Sequence, residues 1–165
     1  MIQLLHQLEN PDNRSPDLEY YRHGADYDSN DPVCSPNTVW WEASVAIAAF
    51  GFQFLPSELH PALREDALKL RVPGSRAFVV SPAHLAQKKK WTEDFMRGER
   101  EREKRIRDWV EGCGGWENAL QQSPIIALYY PEQVKQLDLI DGWHRMKLAQ
   151  QASRDTVTAL LGLVA

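Results

Sequence analysis

One short stretch near the C-terminus, Asp141-Gly142-Trp143-His144-Arg145, constrains the fold more than any other part of the sequence. It follows an apolar run at 137–140 that is typical of a β-strand, and it precedes an amphipathic run at 146–151 that is typical of a helix. A glycine between a strand and a helix predicts a tight turn. Because the first N–H groups of a helix have no partner within the helix, this turn predicts an exposed positive helix end.

The side chains of that first predicted turn favour an anion there. His144 and Arg145 are cations or potential cations at the end of the helix where the dipole disfavours positive charge. A bound phosphate would compensate for this, since an arginine fork binds oxyanions bidentately. The spacing is equally compatible with the alternative that Gly142 only makes the turn and that Arg145 is solvated.

Three residues of the stretch have both a chemical and a structural interpretation. Asp141 stands at the predicted strand end, where a carboxylate can hold Mg²⁺, accept a proton, or simply cap the helix. His144 can donate to a phosphate oxygen or protonate a leaving group, although a single histidine is also commonly structural. Trp143 is predicted to pack on the sheet rather than to stack on a base.

The stretch resembles the motif of the ParB/sulfiredoxin superfamily, with Leu-Ile before it and Met-Lys-Leu-Ala after it. Segments 77–85, 123–128 and 156–161 resemble that family's first, middle and closing strands, in the family's order. The resemblance implies a small mixed α+β sheet and a site for ATP or a related nucleotide. The implied nucleotide-binding residues are Gly142, His144, Arg145 and Ser81, the implied catalytic residues are Asp141, His144 and Arg145, and Asp141 is the implied Mg²⁺ ligand.

Departures from the family narrow the expected activity. Trp143 occupies the place of the reactive cysteine of sulfiredoxins, so sulfinic-acid reduction is not expected there. The Gly-Glu-Arg-Arg of ParB partition proteins keeps only its glycine and last arginine here, so a CTP-dependent clamp is not expected. The form Asp-Gly-x-His-Arg resembles members that hydrolyse nucleotides, phosphorylate substrates or cleave DNA. In size it resembles short oncogenic-suppressive or fertility-inhibition proteins of conjugative plasmids.

The resemblance therefore implies an ATPase with sequence-nonspecific DNA phosphodiesterase activity, acting in inhibition of plasmid transfer. One alternative is a small-molecule or protein kinase of the same superfamily. A second alternative is a non-enzymatic interaction protein that retains the fold as a scaffold. In that case an acidic N-terminal part with Trp40 and Trp41 would engage a basic partner, such as a protein of the DNA-transfer machinery.

The charge is unevenly distributed along the chain. Residues 1–66 contain eleven acidic and three basic residues, whereas residues 87–107 contain nine basic and five acidic residues, within a net charge of −4. Lys88, Lys89, Lys90 and Arg97 are candidate contacts to a DNA backbone. The alternative is a solvated helix with i,i+4 pairs such as Glu101–Arg105, and the mixture of signs favours it.

The order of the predicted elements indicates an α+β fold with a helical N-terminal addition. Residues 1–36 are predicted to be loop-rich, and helices are predicted at 38–50 and 57–70. Pro73-Gly74-Ser75 marks a junction between an addition at 1–75 and a family-like core at 76–165. The core is predicted to contain strands at 76–80, 125–129, 137–140 and 156–164. A helix capped by Ser81 is predicted to reach about residue 110, with an interruption at Gly98.

Composition sets broad limits on the class of protein. The chain has 165 residues, of which 43% are hydrophobic and 25% are charged, as in an ordinary globular domain. No run approaches the roughly 18 apolar residues of a membrane span, so no membrane insertion is expected. Two cysteines predict no disulfide framework, and the cytoplasm is the expected compartment.

Overall fold

The computed structural model describes residues 1–24, 30–50, 82–132 and 136–164, with the backbone alone described for 82–89, 91, 92 and 136. These residues form a mixed α+β fold, which confirms the predicted class. The strands are β1 (Ile2–Gln7), β2 (Val39–Ala46), β3 (Ile125–Tyr130), β4 (Gln136–Asp141) and β5 (Thr156–Leu163). The helices are α1 (Pro16–His23), α2 (Pro82–Gly112), α3 (Trp116–Gln122) and α4 (Trp143–Gln151), with short 3-10 turns at Pro11–Arg14 and Ile47–Phe50.

The described strands form one five-stranded sheet in the order β1-β2-β5-β3-β4. The central neighbours β3 and β5 are parallel, and the other three neighbouring pairs are antiparallel. Because parallel neighbours require a crossover, the chain leaves β3 into the edge strand β4 and returns through α4 to β5. This connection places the turn at 141–145 at the end of an edge strand of the described sheet.

One face of the sheet packs against α1 and the residues around Val33. Strand residues of alternating position point to this face, as the period of a strand requires. They form a buried cluster with residues from outside the sheet: Leu18, Val33, Trp40, Ile126, Leu128 and Leu160. The first four residues of β3 are buried on both faces, in keeping with a strand that has a neighbour on each side.

The predicted C-terminal elements are confirmed by β3, β4, α4 and β5, whose bounds lie close to those expected. The predicted interruption at Gly98 is wrong, since α2 is a continuous helix of 31 residues. A glycine inside a helix costs about 1 kcal/mol relative to alanine, which a helix of this length can absorb. Ion pairs at i,i+3, Arg97–Asp94 and Arg102–Glu99, add support on either side of it.

The helix predicted at 38–50 is also wrong, because residues 39–46 form β2 and residues 47–50 form a 3-10 turn. All eight residues of β2 pair with β5, from Val39 opposite Leu163 to Ala46 opposite Thr156. The valine and tryptophan side chains of this segment suit a pleated sheet. The apolar run was compatible with either structure, and pairing with a distant strand selected the extended one.

The prediction of a loop-rich segment at 1–36 is corrected by β1 and α1. Ser15 caps α1 by accepting the N–H of Leu18, and Pro16 occupies the first turn. Ser15-Pro16 is the same helix-start signal that predicted a helix at Ser81-Pro82. The same signal is thus present in the sequence at the start of α1.

Several predictions fall outside the described ranges: the helix at 57–70, the strand at 76–80, Ser81 and the boundary between 75 and 76. The chain divides into two compact units, one of Met1–Phe52 with Ile106–Ala165 and the other of Gln53–Arg105. All five described strands belong to the first unit. Among the described helices, none is both long enough and apolar enough to cross a membrane.

Candidate functional site

A glycine turn joins β4 to α4, as the sequence predicted. Gly142 adopts a left-handed conformation with φ of 106° and ψ of 16°. The backbone conformation therefore requires glycine, and the Cδ1 end of the buried Ile125 side chain would have to shift to admit a Cβ. The carbonyl of Gly142 accepts the N–H of Met146 at 2.9 Å, which makes it the first acceptor of the helix. The N–H groups of residues 143–145 consequently precede the first intrahelical bond.

The guanidinium of Arg145 turns back onto the protein. Its Nη2 donates to Oδ2 of Asp141 at 2.5 Å, and its Nη1 donates to the carbonyl of Ser123 at 2.8 Å and to the Oγ of Ser123. Its side chain is 11% exposed, so the expectation of a solvated arginine is wrong. The Asp141 carboxylate supplies the negative charge that an arginine in the first turn of a helix requires, within the chain itself.

Ser123 also connects Arg145 to two other elements. It is the C-cap of α3, so its carbonyl lies at the negative end of that helix, where a cation is favourable. Its Oγ lies 3.4 Å from Oδ2 of Asp17 in the first turn of α1. Asp17, Ser123, Asp141 and Arg145 thus form one hydrogen-bonded set, called the Arg145 network below. It ties α1, the α3–β3 junction and the end of β4 to α4.

The neighbouring side chains of α4 are partly covered. Trp143 and His144 are half-buried, and each has an interaction within the protein. Lys147, one turn into α4, is buried at 4% exposure and likewise has a partner. Half-burial is consistent with the predicted packing of Trp143, and it leaves part of His144 accessible beside the turn.

Four of the predicted site residues, Asp141, Gly142, His144 and Arg145, are brought together at this turn. Ser81 lies outside the described residues, and only the backbone is described for Lys88 and Lys89. On α2, Lys90 and Arg97 are exposed, and Arg97 Nη2 pairs with Asp94 Oδ1 at 2.7 Å. The exposed part of α2 therefore carries ion pairs as well as basic residues.

The carboxylate of Asp141 is the one predicted metal ligand, and 34% of its side chain is exposed. Within the described parts of the chain, no group of three or more histidine, cysteine, aspartate or glutamate side chains can hold a metal. Mg²⁺ is commonly held by one or two carboxylates together with phosphate oxygens and water. The side chains present thus fit a Mg²⁺ ion that arrives with a nucleotide, and Asp141 would be its protein ligand.

Two acidic residues of the N-terminal part, Asp12 and Glu42, pair with nearby bases. Asp12 pairs with Arg22 and with His23, and Glu42 pairs with Arg14 and, at 3.4 Å, with His6. Burial by itself raises the pKa of Asp12, but the hydrogen bonds from His23 and Arg22 outweigh it and hold the pKa below its ordinary 3.8. Trp40, which the interaction alternative placed at a partner surface, is 2% exposed and belongs to the core.

Sequence reasoning missed Asp17 and Ser123 as members of the site. Ser123 begins the segment 123–128 that resembles the family's middle strand, and Asp17 lies in a segment predicted to be loop-rich. Asp17 and Ser123 are separated by 106 positions in the chain, so no local pattern links them. The available signal was the Ser15-Pro16 helix start, which places Asp17 in a first helical turn.

The structure is thus an α+β protein in which the carboxylate of Asp141 and the Gly142 turn lie at the start of α4. Comparison with protein-family models, curated proteins and solved structures found no match to this chain.

Proposed function

We propose that this protein is a nucleotide-binding hydrolase that binds the phosphates of ATP, with Mg²⁺, at the start of α4. The observation that supports it best is the left-handed Gly142 turn, which sets the first-turn N–H groups of α4 beside an oriented carboxylate. Backbone N–H groups at a helix start bind phosphate through hydrogen bonds and the helix dipole. The proposed core is of the ParB/sulfiredoxin type.

Each group at the turn would have a separate role in ATP hydrolysis. The N–H groups that follow Gly142 would hold the γ-phosphate, and His144 would donate to one of its oxygens. Asp141 would accept a proton from the attacking water as the bond to the bridging oxygen breaks. Bound Mg²⁺ would neutralise phosphate charge. Arg145 is already engaged by Asp141 and Ser123, so its role in this proposal is to orient the carboxylate.

DNA cleavage is a second proposed activity, with α2 as the binding surface. Lys90 and Arg97 are exposed there, and phosphate contacts by such residues carry no sequence preference. If the protein is a kinase, the same turn would bind ATP, and a hydroxyl group of the substrate would attack the γ-phosphate in place of water. The proposed setting for these activities is inhibition of plasmid transfer in the cytoplasm.

The interaction-protein alternative is favoured by one observation. Asp141 and Arg145 satisfy each other's charge without a ligand, as a purely structural pair would. In that case the start of α4 stabilises the fold, and a protein of the DNA-transfer machinery binds elsewhere.

A nucleotide-binding hydrolase and a non-enzymatic interaction protein should differ in their response to Mg-ATP. For a nucleotide-binding protein, Mg-ATP at 100 times its dissociation constant should stabilise the fold by about 2.7 kcal/mol, measured as a rise in melting temperature. Phosphate release should fall about 100-fold in Asp141→Asn, as expected for the loss of a general base. Asp155→Asn, an exposed residue just before β5, is the matched control and should keep the wild-type rate. Absence of both the thermal shift and phosphate release in the wild type would select the interaction protein.

A further inference from the structure

The hydroxyl of Ser123 has a defined direction within the Arg145 network. Arg145 has only donors to offer, so Ser123 Oγ accepts from it and its single proton is directed to Asp17 Oδ2 at 3.4 Å. A hydroxyl that donates to a carboxylate becomes a better acceptor for a cation. Asp17 therefore strengthens the contact between Ser123 and Arg145.

This arrangement controls where Arg145 points. The guanidinium is planar and rigid, so holding Nη1 also sets the direction of Nη2. Two oxygens of Ser123, the carbonyl and Oγ, hold Nη1, and Nη2 holds Asp141 Oδ2 at 2.5 Å. The orientation of the Asp141 carboxylate consequently depends on Ser123, which does not itself touch Asp141.

The backbone of Asp17 is anchored for this role, although its side chain is exposed. The N-cap residue Ser15, two positions before Asp17, and Leu18, which follows Asp17, are buried at 1% and 0% exposure. Ser15 Oγ accepts the N–H of Leu18, which fixes the start of the helix. The helix start thus fixes the backbone of Asp17, from which the exposed carboxylate reaches Ser123 Oγ.

We propose that Ser123 is a positioning residue for Asp141, acting through Arg145, and that Asp17 orients the Ser123 hydroxyl. The candidate site thereby extends into the N-terminal part of the chain, where Asp17 contributes to the geometry of a turn more than 120 positions away. The part of this inference that concerns catalysis rests on the proposed hydrolase function.

The first experiment measures Arg145 directly and needs no activity. Nitrogen-15 NMR of the arginine side chains reports the rate of rotation about the Cζ–Nη1 bond. Loss of one hydrogen bond to a charged group should raise this rate about tenfold in Ser123→Ala. Asp17→Ala leaves the Ser123 hydroxyl in place but weakens it as an acceptor, so it should raise the rate by a smaller factor. Ser123→Thr, which retains the hydroxyl, should keep the wild-type rate. Asp17 is exposed, so its variant tests the inference even if Ser123→Ala does not fold.

The second experiment measures steady-state ATP hydrolysis. Misorientation of a catalytic carboxylate should lower kcat about 10-fold in Ser123→Ala with little change in KM, and Ser123→Thr should restore it. A purely structural serine would lower the melting temperature without this selective loss of kcat. Equal loss of kcat in the alanine and threonine variants would overturn the positioning role.

The NMR rates test the positioning role of Ser123, and ATP hydrolysis by the wild type tests the hydrolase proposal. If the wild type does not hydrolyse ATP, the hydrolase proposal fails, while the NMR rates still decide whether Ser123 and Asp17 hold Arg145. Unchanged Arg145 rotation in both alanine variants would overturn the inference, whatever the activity.

Discussion

Two arginine–aspartate pairs in this protein show how surroundings alter the same chemical contact. Arg145 pairs with Asp141 at the start of α4, with side-chain exposures of 11% and 34%. Arg97 pairs with Asp94 on α2, with exposures of 64% and 48%. The first pair also binds Ser123 and, through it, Asp17, whereas the second joins two residues of a single helix. Partial burial and shared hydrogen bonds give the first pair its structural importance.

Exposed pairs contribute little, since water and salt screen them and two long side chains must be ordered. A pair at a partly buried turn is screened less, and removing one partner leaves the charge of the other uncompensated. Mutations in the Arg145 network should therefore lower the stability of the fold most, and mutations on the charged surface of α2 should change it little.

The largest effect is expected from the glycine that makes the turn possible. Gly142→Ala should destabilise the fold by about 3 kcal/mol, from the cost of a left-handed non-glycine residue and the collision with Ile125. The measurement is the free energy of unfolding in urea. Gly98→Ala is the matched control, since nothing lies within 4 Å of its added Cβ, and it should stabilise α2 by up to about 1 kcal/mol. A destabilisation below about 1 kcal/mol for Gly142→Ala would contradict the geometry of the turn.

The next largest effect comes from the Arg145 network itself. Arg145→Ala should cost about 2 kcal/mol, because it leaves the carboxylate of Asp141 and the carbonyl of Ser123 without their donor. Arg97→Ala should change stability by less than about 0.5 kcal/mol. A double-mutant cycle of Arg145 with Asp141 should give a coupling of at least about 1 kcal/mol, while the Arg97–Asp94 cycle should give less. Equal couplings for the two pairs would remove the distinction between them.

A smaller effect is expected at acid pH from Asp12, whose side chain is intermediate in exposure at 26%. Its pKa is lowered in the folded protein, so its contribution is complete above the ordinary value of 3.8 and is lost as the pH falls through the lower folded value. The loss should be about 1 kcal/mol or less. Unfolding measured from pH 5 to pH 2 should show a shallower decline in Asp12→Asn than in the wild type. Parallel curves would show that the ion pairs of Asp12 do not stabilise the fold.

The smallest effect on stability, under about 0.5 kcal/mol, is expected when Lys88, Lys89 and Lys90 are replaced by glutamine. If α2 binds a DNA backbone, the same change should weaken duplex binding and make the log–log salt dependence shallower by about 2.7, at about 0.9 per phosphate contact. Fluorescence anisotropy at several salt concentrations measures this, and nucleotide hydrolysis serves as the control that should not change. Salt-insensitive binding, or none at low ionic strength, would leave α2 as a solvated helix.

Local patterns predicted the part of the fold in which neighbours in sequence are also neighbours in space. The run at 137–140, Gly142 and the amphipathic residues that follow specify a strand, a turn and a helix with little help from elsewhere. The same method failed at 38–50, where the apolar residues suit a helix or a strand. The partner that decides between them, β5, is more than 100 positions away.

In the candidate site, too, local sequence accounts for one part and contacts between distant segments account for the other. The sequence by itself determined which chemical groups stand at the turn: a carboxylate, a flexible glycine, an imidazole and a guanidinium within five positions. Tertiary structure decided that the guanidinium also binds Ser123, because this acceptor lies 22 positions away and meets Arg145 only after β3 and β4 pair. Local preferences act over a few residues, whereas the partner of a long charged side chain is chosen by burial and by acceptors from distant segments.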